Sequence, residues 1–436
     1  MDKRFSSMFG LSEAESILLL DTPLGQLPEG QSRYVAACEL VNFPTEAAIQ
    51  ALIRAVQNPN PELDNRIVRR KSIETLGRLS AVQALPMIRD CLGDEDCYTV
   101  ENAVWAIGEI GTDDAVLLEQ VAQLLETPNQ TYRVIIHTLA KLGYEPAVAR
   151  IKTFVDDEDT TIASAAMTAI ARLTGDRTPL SQVVEFLLHP NVYTRRLAIQ
   201  DLIDAQHDEA IPAIARTPVS LVFRLRGIRM LADAGTGNAG TNQAKSAGID
   251  IDRLNFATDI QPWLEQVLWD RPEDLTLVHE YDQPPTLEFL INELYQTDFG
   301  RCYLAVKTIL AEHREIAPAA LMVAYQEKAR ADYGGHYHVM KLLGRLHYEP
   351  AFELMVQEGL NNPQPQFQKS RFAAALSLGE LGNVEAIPAL KACLDSPIWT
   401  IKYAALMALE KLGDRTAHDL AAQDSDWLIR AKATSM

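Results

Sequence analysis

The chain has 436 residues, of which 47% are apolar and 23% are charged, a composition typical of a globular protein. Its formal net charge of −19 argues against nucleic acid and anionic membranes as partners, because both require a basic surface. Five widely spaced cysteines form no zinc motif, and the chain shows neither a secretory signal pattern nor an apolar run of about 18 residues, so no metal and a cytosolic or plastid-stromal location are expected.

The N-terminal half repeats itself with a period of 31 or 32 residues. Matching units cover residues 73–96, 105–129, 137–159 and 168–191, and each is predicted to form one helix, a short turn and a second helix. Small residues at matching positions, such as Gly77 and Gly108, predict close approach of neighbouring helices. Helix pairs of this kind bury their apolar faces only by stacking. The predicted fold is therefore all-α, a right-handed α/α superhelical solenoid with a concave groove.

Residues 94–99, DEDCYT, form the most reactive short stretch and are called the motif segment. It contains five candidate catalytic residues: Asp94, Asp96, Cys97, Tyr98 and Thr99. Two repeats further on, residues 157–162 read DEDTTI, so the acidic residues have an alternative role as helix N-caps. Cys97 has no histidine within six residues, which gives no indication of a self-contained Cys/His nucleophile.

The helix predicted after the motif segment differs from its repeats. Where other repeats carry mostly basic or polar residues, it carries Glu101, Trp105 and Glu109, which lie four residues apart on one helical face. An exposed indole between two carboxylates is expected to form a ligand surface. The alternatives are that Glu101 joins an ion-pair ladder between repeats and that Trp105 fills a gap between them.

Arginines and tyrosines are grouped in later segments. Arg195, Arg196, Arg224, Arg226 and Arg229 could bind carboxylates bidentately, or they could be solvated or ladder arginines. Residues 279–285 and 331–340 combine His, Tyr and Asp, and could supply proton donors or simply be polar loop residues.

Three blocks are expected along the chain. Residues 1–235 form an N-terminal repeat block, residues 236–300 an atypical loop and helical middle segment, and residues 301–436 a C-terminal repeat block. The Gly/Asn/Ser-rich stretch 233–253 is predicted to be a long loop. Repeats return in 338–355 and 373–414, where Pro again falls in the first turn of a helix.

The repeats around NAVWAIGEIGTDDAV (102–116) resemble the HEAT-like repeats of the E/F-type phycobilin lyases. DEDCYTVENAVWAIGEIG (94–111) is similar to the DxD and CYT motif region of that family. The stretch 275–305 resembles the middle segment of its single-chain phycoerythrobilin lyases and lyase-isomerases, which act on phycoerythrin. The resemblance extends over most of the chain, from residue 33 onward.

This resemblance implies an enzyme, a phycobilin lyase, whose substrate is the linear tetrapyrrole phycoerythrobilin, with no tightly bound cofactor. The bilin would be attached by thioether to a cysteine of a phycobiliprotein partner, a phycoerythrin alpha-type subunit, with isomerisation to phycourobilin. The reacting sulfur then belongs to the partner. Alternatives are a lyase without isomerase activity and a non-catalytic HEAT-repeat scaffold or chaperone for phycobiliprotein assembly.

Within that implied chemistry the candidate residues take distinct roles. The motif segment is assigned catalysis, with Asp96 or Tyr98 as proton source. The expected bilin-binding residues are Glu101, Trp105, Arg195, Arg196, Arg224, Arg226, Tyr281 and Asp282. Acidic residues would accept pyrrole N–H groups, aromatic rings would stack on the bilin, and arginines would bind its propionates.

Overall fold

A computed structural model describes residues 10–237 and 253–435. Every regular element in these residues is helical, and they contain no β-strand. The chain divides into two compact units, Met1–Gln182 and Val183–Met436. The predicted all-α architecture is confirmed, and none of the helices within the described ranges has the length and apolar character needed to cross a bilayer.

The first unit is a stack of helix pairs joined by short 3₁₀ turns. Its helices are Glu13–Asp21, Arg33–Glu39, Glu46–Gln57, Leu63–Arg78, Leu85–Asp90, Cys97–Ile110, Ala115–Gln123, Tyr132–Lys141, Val148–Ile151 and Thr160–Thr174. The helix Leu180–Glu185 contains the boundary between the units. The helix Cys97–Ile110, called the motif helix, packs between Leu63–Arg78 and Tyr132–Lys141. This packing buries one continuous apolar core.

The second unit is also helical but less regular. Its α-helices are Val192–Asp204, Ile211–Arg216, Leu221–Gly235, Gln261–Trp269, Leu287–Glu293, Phe299–Glu312, Ala317–Ala324, Tyr333–Arg345, Phe352–Leu354, Gln368–Leu381, Ile387–Ala392, Trp399–Lys411, Thr416–Ala421 and Trp427–Thr434. Three π-helical turns, Phe256–Ile260, Tyr325–Ala329 and Met355–Leu360, interrupt this pattern. Residues 238–252, most of the predicted long loop, lie outside the described residues, and the three-block organisation stays a prediction.

Small residues set the spacing between repeats, as predicted. A Cβ atom on Gly77 would lie 2.9 Å from the Ala106 Cα, and one on Gly108 would lie 3.1 Å from the Thr138 Oγ1. A Cβ on Gly77 would require the facing backbone to shift, and one on Gly108 would require Thr138 to shift by a few tenths of an ångström. The motif helix is therefore held tightly on both sides.

The first-turn prolines predicted for the second helices of repeats are confirmed at Pro86, Pro212 and Pro388. All five cysteines lie in the described ranges, and none of them is in a disulfide. Cys91, Cys302 and Cys393 are buried, whereas Cys38 and Cys97 are half-buried.

Candidate functional site

The motif segment forms a tight turn before the motif helix. The Asp94 carboxylate accepts the Asp96 backbone N–H at 2.9 Å, and its other oxygen lies 2.6 Å from a terminal nitrogen of Arg69. Both groups are largely buried. Both contacts of Asp94 therefore hold the turn against the preceding helix Leu63–Arg78.

Asp96 is held by the neighbouring repeat. Arg70 donates two hydrogen bonds to its two carboxylate oxygens, at 2.7 Å each, and the Thr99 hydroxyl donates a third at 2.7 Å. Partial burial opposes ionisation of Asp96, but the bonds from Arg70 and Thr99 outweigh it and lower the pKa of this carboxyl. Asp96 is thus a persistent anion at neutral pH, which does not favour it as a proton donor.

The DEDTTI segment provides an internal comparison. The Asp157 carboxylate accepts the Asp159 N–H at 2.8 Å, which repeats the turn of the motif segment. The Asp159 carboxylate then accepts the Thr161 N–H at 2.8 Å and caps its helix. Asp96 occupies the same N-cap position but makes no such bond. Helix capping therefore explains Asp159, whereas Asp96 is bound by Arg70 instead.

The motif face consists of Tyr98, Glu101, Trp105 and Glu109 on the motif helix. Tyr98 is 57% exposed, and the Arg70 guanidinium lies 4.8 Å from its ring centre. Glu101 is half-buried and accepts one hydrogen bond, at 3.1 Å from the hydroxyl of Thr131. Its second carboxylate oxygen can accept further donors.

The two C-terminal residues of the motif face, Trp105 and Glu109, make structural contacts with neighbouring repeats. Glu109 forms a 2.8 Å ion pair with Lys141 of the next repeat. The Trp105 ring is half-buried and lies 3.0 Å from the position of a Cβ on Gly77, with the Arg78 guanidinium 6.0 Å from the ring centre. The expectation of an exposed Trp105 was wrong, because the glycine opposite leaves a space between repeats that the indole fills.

Two of the predicted propionate-binding arginines are enclosed in the second unit. Arg195 is fully buried, donates to the carbonyls of His189 and Pro190, and pairs with Asp298. Asp298 also contacts His279 of the middle segment at 2.9 Å. These contacts leave Arg195 no exposed donor, which argues against its expected role in binding a bilin propionate.

Arg224 belongs to a buried polar centre, made of Arg224, Asp270, Tyr303, Tyr337 and Lys341. Asp270 accepts hydrogen bonds from Arg224, Tyr303 and Tyr337. Burial disfavours the charge on Asp270, but Arg224 and Lys341 overcome this and lower the pKa of its carboxyl. The burial of Arg224 in this centre argues against its expected role in binding a bilin propionate.

Sequence reasoning missed Asp270, Tyr303 and Lys341, whereas Tyr337 lies in the stretch 331–340 that it singled out. The four residues come from one helix end and two helices, Phe299–Glu312 and Tyr333–Arg345. Asp270 ends its helix with a positive φ of 49°, a conformation in which Asp is one of the tolerated residues.

The remaining candidates differ in accessibility. Arg226 and Asp282 are exposed. Tyr281 is half-buried, packs edge-on against Phe289, and its buried hydroxyl has no hydrogen-bond partner among the described residues. Burial raises the pKa of Tyr281 to about 12. Arg196 is half-buried and donates to the Thr297 carbonyl at 3.0 Å.

Known proteins share both the repeats and the length of this chain. A family model for HEAT repeats matches residues 62–133 and 356–436. The chain is 55% identical over 435 residues to "Uncharacterized phycocyanin operon protein Y" of Pseudanabaena tenuis, covering 100% of both chains. It is 32% identical over 421 residues to "Bilin biosynthesis protein CpeY" of Synechococcus sp. WH8020, covering 92% of this chain and 96% of that one. It is 32% identical over 214 residues to "Phycocyanobilin lyase subunit alpha" of Thermosynechococcus vestitus, covering 44% and 78%.

The stacked helix pairs and the matching family model define a HEAT-repeat protein, as predicted. With the relatives just described, the chain belongs to the E/F-type family of HEAT-repeat phycobilin lyases, which serve chromophore attachment to phycobiliproteins. The resemblance seen in the sequence is thereby confirmed at the level of the family.

Proposed function

We propose that this chain attaches phycoerythrobilin by a thioether bond to a cysteine of a phycoerythrin alpha-type subunit and isomerises it to phycourobilin. The observation that carries the proposal is the 32% identity to a bilin biosynthesis protein over 92% of this chain, which includes the motif and middle segments. The relative named for a phycocyanin operon, at 55% identity, makes a phycocyanin subunit the alternative acceptor.

The motif face supports the proposal through two side chains with unused hydrogen-bonding capacity. Glu101 has a carboxylate oxygen free to accept pyrrole N–H groups of a bilin. The Tyr98 hydroxyl has no partner among the described residues and lies on the same helical face, three residues away. A carboxylate that holds the pyrroles and a phenol that delivers a proton would together orient and activate the bilin.

The proposed reaction needs no oxidant or reductant. The S–H of the partner cysteine adds across the ring A ethylidene C=C bond, so that sulfur bonds to the ethylidene carbon and a proton reaches the neighbouring ring carbon. Isomerisation adds one proton at a bridge carbon and removes one from ring A, which moves a double bond without net change in composition. We assign proton delivery to Tyr98, and Asp96 keeps Arg70 beside its ring.

Co-expression tests this function directly. The chain is produced with a phycoerythrobilin-synthesis system and with either a phycoerythrin alpha-type or a phycocyanin alpha-type subunit. Bilin that stays on the subunit after denaturation demonstrates lyase activity, and a shift of its absorbance to shorter wavelength demonstrates isomerisation. A stable complex with the subunit but without covalent bilin would instead establish a non-catalytic scaffold.

Tyr98→Phe tests the assigned proton donor. Its matched control is Tyr193→Phe, since Tyr193 also lies in the first turn of a repeat helix and is 59% exposed, against 57% for Tyr98. General acid catalysis contributes roughly 10²- to 10⁴-fold, so we expect the attachment rate of Tyr98→Phe to fall by at least about 100-fold. Equal rates for the two variants would refute the role of Tyr98.

A further inference from the structure

A cavity of about 580 Å³ lies in the second unit and is called the aromatic cavity. Phe223, Tyr295, Phe299 and Tyr333 contribute aromatic walls, Arg196 and Lys369 contribute cations, and Asp332 contributes one carboxylate. The volume falls within the range of roughly 300–1,000 Å³ typical of small-molecule sites.

Lys369 is unusual because its charge is buried without an anion. The side chain is 9% exposed, and its ammonium lies 4.4 Å from the ring centre of Phe299, 5.1 Å from that of Tyr337 and 5.2 Å from that of Tyr333. No described residue accepts a hydrogen bond from it or forms a salt bridge with it. Lysines are rarely buried unless they are paired, and aromatic faces compensate only part of the lost hydration.

The acidic groups nearest to Lys369 are engaged elsewhere. The Asp332 carboxylate accepts the N–H groups of Gly334 and Gly335, at 2.9 and 2.7 Å, and caps the helix Tyr333–Arg345. Asp270 is saturated by the buried polar centre. Burial raises the pKa of the Cys302 thiol to about 12, so it is neutral. The Lys369 ammonium therefore reaches the cavity without a direct bond to an anion, and Asp332 is the one carboxylate among the cavity's described lining residues.

Arg196 adds a second cation to the same cavity. Its guanidinium lies 4.9 Å from the ring centre of Phe223, and one terminal nitrogen donates to the Thr297 carbonyl. Its Nε atom is buried and has no hydrogen-bond partner among the described residues. Two cations with unused donors, set among aromatic rings, fit a flat conjugated ligand that carries two carboxylates.

We propose that the aromatic cavity binds the dicarboxylate half of the bilin, with Lys369 and Arg196 each receiving one propionate and Phe299 and Tyr333 contacting the conjugated rings. This inference rests on the proposed function and adds a ligand-binding role for Lys369.

The test compares phycoerythrobilin with its propionate dimethyl ester, titrated into the purified full-length chain and followed by bilin absorbance. Charge-assisted hydrogen bonds distinguish the two ligands, so we expect the wild type to bind the acid roughly 10- to 100-fold more tightly than the ester. Lys369→Met should lose at least about tenfold in affinity for the acid while its affinity for the ester changes less than about twofold. Lys411→Met is the matched control, because Lys411 also lies over an aromatic ring, Trp269 at 5.0 Å, but is exposed and outside the cavity.

Each of the other possible results would refute one specific claim. Equal affinity of the wild type for acid and ester would overturn propionate recognition and leave the proposed function intact. An unchanged acid-to-ester ratio in Lys369→Met would overturn the role of Lys369, as would a variant that binds free bilin normally but loses the phycobiliprotein subunit. Failure of the wild type to bind either ligand would overturn both this inference and the proposed function. The wild-type comparison needs no variant and remains decisive if Lys369→Met does not fold.

Discussion

Asp96→Asn removes one charge from the contact that joins the motif segment to the preceding repeat. Asp96 accepts two bonds from Arg70 and one from Thr99, all at 2.7 Å, and the two side chains of the ion pair are 12% and 24% exposed. Asparagine keeps the shape but replaces one acceptor oxygen by a donor that faces the guanidinium. Hydrogen bonds to charged groups contribute about 1.5–3 kcal/mol, so we expect the motif helix to lose about that much local stability.

Amide hydrogen exchange measures this loss locally, which avoids assuming that a repeat protein unfolds in a single step. A destabilisation of about 1.5–3 kcal/mol predicts exchange roughly 10- to 150-fold faster in peptides covering residues 97–110. Asp159→Asn is the matched control, since Asp159 caps its helix through the Thr161 N–H and asparagine caps about as well. Exchange in the helix Thr160–Thr174 should change less than about threefold in that control.

The lowered pKa of Asp96 also predicts how the effect of Asp96→Asn on exchange changes with pH. Because the pKa of Asp96 is lowered in the folded chain, its contribution is fully present above the ordinary aspartate pKa of about 3.9 and is lost as pH falls through the lowered value. The exchange difference between wild type and Asp96→Asn should therefore be constant down to about pH 4 and shrink below it. If Asp96→Asn and Asp159→Asn increased amide exchange in their own helices equally at neutral pH, the assignment of Arg70 as the stabilising partner of Asp96 would be refuted.

Three further outcomes are expected. Gly77→Ala should destabilise the first unit by about 1–3 kcal/mol in urea-induced unfolding, because its Cβ would meet the facing helix at 2.9 Å, whereas Gly93→Ala, with open space around its Cβ, should be nearly neutral. The acid-over-ester preference should fall as pH rises above about 8, because burial lowers the pKa of Lys369 to about 8 and the neutral amine no longer attracts a carboxylate; a preference that stays constant to pH 10 would contradict this. Arg224→Met should destabilise the second unit by about 3–5 kcal/mol, measured as the loss of thermal stability, because it leaves the Asp270 carboxylate buried without its main counter-charge.

The repeat architecture was predictable because its determinants recur along the chain. A small residue every 31 or 32 positions fixes the helix spacing, and proline in the first turn marks where the second helix of a repeat begins. Comparison between repeats also distinguished the DEDCYT segment from DEDTTI, its counterpart two repeats later. It could not reveal that Asp96 binds Arg70, because aligned repeats place Arg70 opposite Glu101. Which acid an arginine reaches depends on side-chain direction across the helix interface, which sequence spacing does not encode.

The aromatic cavity and the buried polar centre had only a weaker signal, the His, Tyr and Asp residues of 331–340. The rings around Lys369 come from residues 299, 333 and 337, on two helices whose packing together the sequence does not encode. Arg195 and Arg224 looked like ligand groups because clustered arginines in an acidic chain suggest an anion site. The partners that enclose them, Asp298 and Asp270, lie 103 and 46 residues away along the chain. Contacts at that sequence separation are set by the tertiary fold.

The cysteines of the chain have a consequence for its selectivity toward thiols. Burial raises the pKa of Cys38 and Cys91, and raises those of Cys302 and Cys393 to about 12 and about 11. Since the thiolate is the reacting form, about one molecule in 10⁵ carries a reactive Cys302 at neutral pH. Under the proposed function, these four sulfurs compete little with the acceptor cysteine for the bilin; Cys97, which is half-buried beside Tyr98, is not among them.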